Sequence, residues 1–264
     1  MAGMFMGGRT AGESLLGEGT LTETRGRTWA MGGDSGVATL ANFIKHYNTS
    51  VEGASKGQHI PELCSGFPEQ DVLNAALSGA LAMNLDDEID YLVKEMKSLR
   101  SVRYETDWKL ITIQIGSNDL CSSCKSPWEK YATPERFRFY VDKAIRRIQT
   151  EIPRTIVNLG NGISYHIKEI LIMYSVGVFD FAPLYQMTAN QPQCRGLLGL
   201  ASLRMDRLEC PCFRGSEQDR GKMHLNAQEE QSSSFGVAWQ PANVDFSSIP
   251  VSALRFNANY EHSY

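Results

Sequence analysis

No stretch of the 264 residues approaches the roughly 18 consecutive apolar residues that a membrane-spanning helix needs. Nor does a basic start lead into an apolar run and a small-residue cleavage site, so the sequence as it stands carries neither anchor nor export signal. Charge of one sign is scarce too: the formal balance is −4, and the basic residues are scattered apart from a short cluster between Arg136 and Arg147. Without a basic track there is nothing to hold a polyanion, and no nucleic-acid partner is expected. Internal repeats are missing, and only residues 229–234 are compositionally thin. A chain of this length with an ordinary apolar fraction buries one sizeable core, so residues 1–264 are expected to form a single domain.

Cysteine, by contrast, is present in an even number: Cys64, Cys121, Cys124, Cys194, Cys210 and Cys212. That count favours disulfides formed in an oxidising compartment. Free buried thiols are one alternative. Zinc held between Cys121-x-x-Cys124 and Cys210-Pro-Cys212 is another, although a one-residue gap is a poor bite for tetrahedral thiolates. Asn48-Thr49-Ser50 is a glycosylation sequon and points the same way as the cysteines, toward secretion, with any export signal lying upstream of Met1.

Residues 1–35 are rich in Gly, Thr and Arg and read as loop and turn, with a Gly-Gly bend between Trp29 and Asp34. Apolar spacing then predicts a helix over Ser35–Asn48, capped by Ser35, with Val37, Leu40, Ala41, Ile44 and Tyr47 on its inner face. A second helix follows Asn84 as cap, with Leu85, Ile89, Leu92, Val93 and Met96 as its stripe. Its acids, Asp86, Asp87, Glu88 and Asp90, are explained by the helix dipole and solvation, and no metal is expected there. Trp108–Gly116 is the clearest strand, and Pro134 and Pro153 bracket a strong helix. Arg154–Gly160 reads as a second buried strand and the stretch 235–246 as holding a late one that ends at Pro241, while residues 167–175 fit either helix or strand. Alternation of strand and helix favours a parallel sheet covered by helices on both faces.

In such sheets the working groups gather at the carboxyl ends of the strands. Gly116, Ser117, Asn118 and Asp119 fall there, read as a loop, and an Asn amide suits a developing oxyanion. The competing reading is an Asn-Asp turn that merely caps the next segment. Upstream, a small-residue run containing Gly79 just before a helix would let backbone N–H groups approach a ligand closely.

Taken together, "TRGRTWAMGGD" (24–34), "NAALSGA" (74–80), "DWKLITIQIGSNDLC" (107–121), "IPRTIVNLGN" (152–161) and "FGVAWQP" (235–241) resemble the GDSL (SGNH) hydrolases, specifically their phospholipase B-like branch. The resemblance runs from about Arg25 to Phe246. It implies a three-layer α/β/α sandwich with a mainly parallel sheet, and ester hydrolysis by a serine near the start and an Asp-x-x-His pair near the end. Gly79 and Asn118 would then form the oxyanion hole. The substrate implied is a phospholipid or another fatty-acyl ester, met at a transient membrane-surface contact by an extracellular or membrane-associated protein that uses no cofactor.

Both ends depart from that pattern. Gly12-Glu13-Ser14-Leu15 imitates the nucleophile motif, but no apolar strand precedes it, and Ser14 reads as a surface serine. Residues 1–8 look instead like the segment just downstream of that motif. The expectation is therefore a chain truncated at both ends, with a sheet lacking its first strand, poor soluble expression, and a nucleophile upstream of Met1. At the other end His262 is the candidate base, with Asn259 where the family places aspartate; a frayed terminal histidine is the competing reading. His166 and His224 have no Asp three residues before them, and Asp245 reads as structural or surface. A catalytically inactive relative that keeps the cleft to bind lipid or a partner is the alternative function.

Overall fold

The computed structural model describes residues 22–60, 67–122, 129–160 and 231–240. Three strands, β1 (Lys109–Ile113), β2 (Thr155–Gly160) and β3 (Phe235–Gln240), form a sheet of order β1-β2-β3 in which both pairings are parallel. Register places Ile111 beside Val157 and Val157 beside Val237, so one face carries a continuous row of branched side chains. Among the described residues β1 is paired on one edge only.

The helices are α1 (Leu40–Tyr47), α2 (Pro68–Asp71), α3 (Leu85–Ser98), α4 (Ser117–Ser122) and α5 (Pro134–Glu151). Helices α3 and α5 cover the inner face of the sheet. Leu85, Ile89, Leu92 and Met96 of α3 meet Phe137, Val141, Ala144, Ile145 and Ile148 of α5 over Ile111, Ile113, Val157, Leu159, Phe235 and Val237. Val157 and Leu159 are wholly buried, each contributing about 1.5–3 kcal/mol by leaving water. The opposite face is more open, with Leu110 at 41% and Ile156 at 44% exposure. Helix α5 starts at Thr133, whose hydroxyl accepts the Arg136 N–H at 3.3 Å, and its missing first-turn donor is a proline.

The expected strands and the helices α3 and α5 are present, and the class is the α/β, parallel-sheet fold of the SGNH hydrolases. Four local expectations are corrected. The first helix begins at Leu40, not after Ser35, because Thr39 is the cap: its hydroxyl accepts the Asn42 N–H at 3.1 Å and donates to Gly32 O at 2.6 Å. Tyr47, placed on its inner face, is 85% exposed. Asn84 does not cap α3 through its side chain but turns back to accept the Leu81 N–H at 3.0 Å. Residues 117–122, read as loop, form α4.

Candidate active site

Strand β1 runs out through Gln114 and Ile115 to Gly116, whose φ of +115° turns the chain abruptly into α4. The turn brings Asn118 and Asp119 to the carboxyl end of the sheet, against the segment that leads into α3. Asn118 Nδ2 donates to Ala80 O at 2.9 Å. Both oxygens of the buried Asp119 accept the Ala82 N–H, each at 3.1 Å. Burial pushes the Asp119 carboxyl up to about 6, against the opposing pull of that hydrogen bond. Two blocks nearly forty residues apart in sequence are thereby pinned together.

Between them lies Gly79, at φ +79° with open space where a side chain would stand. Its neighbours' amides are committed: Leu77 N–H to Glu88, Ala80 N–H to Leu77 O, Leu81 N–H to Asn84 and Ala82 N–H to Asp119. Gly79 is exposed, and its N–H has no acceptor among the described residues. The Asn118 amide group has two hydrogens, of which Ala80 takes one. Among the described residues this leaves one backbone N–H and one side-chain N–H uncommitted near the carboxyl end of the sheet, donors of the kind that stabilise a developing oxyanion.

Glu88, on the first turn of α3, fixes this loop from behind by accepting the Leu77 N–H at 3.0 Å. Burial raises its carboxyl to about 7, with the Leu77 hydrogen bond acting against the rise. Beside it is a cavity of about 30 Å³ lined by Asn74, Ala75, Leu77, Asp87, Glu88 and Tyr91, room for about one water. A larger hollow of about 450 Å³ runs along α5 past Phe139 and Arg147 and contains no residue of the Gly79–Asn118 crevice.

A buried polar cluster supports the same loop from the other side, and sequence reasoning did not foresee it. Arg25 Nε donates to Glu23 Oε2 at 2.7 Å and lies 3.4 Å from Asp71 Oδ1; Arg25 Nη1 donates to Asn74 O at 3.4 Å. His59 Nε2 pairs with the same Asp71 oxygen at 2.9 Å, and Asn74 Nδ2 donates to Ser55 Oγ at 3.1 Å. All six side chains are buried. The signal available was the Arg25-Gly26 pair at the head of the first matching block, whose arginine has no apolar neighbours to explain it. Asp34, at the end of that block, accepts the Gly57 N–H at 2.8 Å and so joins the two turns. At the rim Trp29 donates its indole N–H to Gln114 Oε1 at 2.8 Å, laying a partly exposed ring beside the end of β1.

Asn118 is thus bonded to Ala80, the residue that follows Gly79. Ser14, Asn259, His262, His166, His224 and Asp245 lie outside the described residues, as do the side chains of the six cysteines. Of the acids considered for a metal, Asp86 binds Lys143 and Arg147, Asp90 binds Arg147 at 2.6 Å, and Glu88 holds Leu77.

Parallel strands with helices packed against them are the α/β arrangement of the SGNH hydrolases. Residues 12–206 match the family described as GDSL-like lipase/acylhydrolase, and the chain belongs to that family. It is similar to membrane-associated phospholipase B1 of Rattus norvegicus, 38% identical over 141 residues, which is 52% of this chain and 9% of that protein. The Homo sapiens protein of the same name is 36% identical over 142 residues, 53% of this chain and again 9% of the relative. The match therefore spans about a tenth of the relatives' own length. No solved structure matches the chain.

Proposed function

We propose that the protein is a phospholipase B-like ester hydrolase in which the Gly79 N–H and the Asn118 amide hold the acyl oxygen. A serine hydroxyl adds to the ester carbon and the oxygen takes up negative charge between the two donors. The alcohol then leaves with a proton, and water releases the acid from the enzyme. The observation that carries this reading is the Asn118–Ala80 hydrogen bond, which sets the asparagine amide one residue from a glycine whose N–H is uncommitted among the described residues. Trp29 offers apolar surface at the rim for the acyl chain. His262 is the proposed base. The relatives' description as membrane-associated supports a membrane-associated setting, and the even cysteine count an extracellular one.

The test is hydrolysis of phosphatidylcholine and of a short-chain nitrophenyl ester, together with labelling by a fluorophosphonate and mapping of the labelled residue. Turnover with one labelled serine supports the proposal and identifies the nucleophile, Ser14 included. Vesicle binding with neither label nor product would favour a lipid-binding relative instead.

A further inference from the structure

Asn48-Thr49-Ser50 is the one Asn-x-Ser/Thr triplet in the chain, and it lies directly after α1. The three residues are exposed. Asn48 is extended (φ −138°, ψ 97°), and its Oδ1 accepts the Ser50 N–H at 3.1 Å, which folds the triplet into an Asx turn. Nδ2 is left without a described hydrogen bond. The residue before it, Tyr47, is 85% exposed, and its ring is met edge-on by His46 at 5.1 Å with the remaining face open to solvent. The exposed ring leaves an apolar surface beside the Asn48 side chain.

We propose that Asn48 carries an N-linked glycan whose first sugar packs on Tyr47. In the transfer, Asn48 Nδ2 forms a bond to the anomeric carbon of an oligosaccharide held on a lipid pyrophosphate. The bond from that carbon to the pyrophosphate oxygen breaks, the lipid pyrophosphate leaves with the electron pair, and Nδ2 loses one proton. A sugar presents polarised C–H groups to the electron-rich face of an aromatic ring, so Tyr47 is a suitable floor for it. The bulk of the glycan points away from the protein because the turn stands at the surface. The inference depends on the extracellular reading only for the compartment in which the donor is met.

The experiment expresses the full chain in animal cells behind a cleavable export signal and recovers it from cells and medium together, so that retention does not hide the modification. Trypsin releases residues 46–56, bounded by Lys45 and Lys56, with the sequon inside. The expected result is a glycopeptide that peptide-N-glycosidase in heavy-oxygen water converts to labelled aspartate at position 48, and that is lost in Asn48→Gln. Finding that peptide unmodified overturns the proposal. Enzymatic removal of the glycan is expected to lower the melting temperature of the wild type and to leave that of Tyr47→Ala unchanged; an equal drop in both overturns the contact with Tyr47. Where the protein resides when made from its own gene is read separately, so an intracellular location would count against the extracellular reading and not against the site.

Discussion

Two acids in the first turn of α3, Asp86 and Glu88, have opposite surroundings. Asp86 faces α5: burial pushes its carboxyl up, but Lys143 and Arg147 outweigh that and hold it below the usual carboxylate range. Glu88 faces the crevice, where burial raises it to about 7 and its partner is a backbone N–H, with no cation in direct contact among the described residues. Asp119 repeats the second pattern and Glu151, lowered by Arg147, repeats the first. The seam between α3 and α5 is thus fastened by ion pairs that any pair of helices could use. The loop that presents Gly79 is fastened by carboxyl groups whose job is to hold main-chain N–H groups in place. Charge balance was given up where geometry mattered.

Three variants test that contrast. The largest stability effect is expected from Asp119→Ala, which leaves the wholly buried Ala82 N–H without an acceptor at a cost of about 1–3 kcal/mol. Urea melts would register this, and turnover should fall with it because Asn118 sits on the same turn. Arg147→Met removes the pairs to Asp86, Asp90 and Glu151 and should cost about 1 kcal/mol, a loss that vanishes in high salt. An undiminished loss in high salt would blur the distinction between the two regions.

Glu88→Gln is subtler and concerns pH. A carboxyl raised from 4.5 to about 7 binds its proton more tightly in the folded protein. The native state then holds more protons than the unfolded one across that window, and stability falls as pH rises through it. Asp119 adds the same slope between 3.8 and about 6. Asp86 and Glu151 have the opposite sign: their contribution is present above their ordinary values and is lost as pH falls. Thermal melts from pH 4 to 8 should therefore show a neutral-side decline that is partly flattened in Glu88→Gln, whose amide oxygen still accepts the Leu77 N–H, and unchanged in Arg147→Met.

Much of the fold was legible because apolar periodicity survives in β1, β2, α3 and α5, where one face is buried at every second or every third to fourth residue. The start of α1 was not, since Ser35 and Thr39 are both chemically able caps and only the tertiary bond from Thr39 to Gly32 O decides between them. Nor was α4: the polar sequence Ser117-Asn118-Asp119 reads as a turn until Asp119 is seen spending its carboxylate on Ala82. Gly79 and Asn118 could be named from their blocks, but the reason they meet could not. It lies in Ala80, Ala82 and Glu88, whose contacts join residues far apart in the chain. The Arg25–Glu23–Asp71–His59 cluster was invisible for the same cause, each member being an ordinary polar residue until the fold assembles them.

The most direct measurement is turnover of a short-chain ester by the wild type and by Asn118→Ala, with melting curves on the same samples. An oxyanion hole predicts a loss of about 10²–10³ in kcat with KM nearly unchanged, well beyond what the modest drop in melting temperature from losing the bond to Ala80 O would explain. Equal turnover by the two proteins would contradict it.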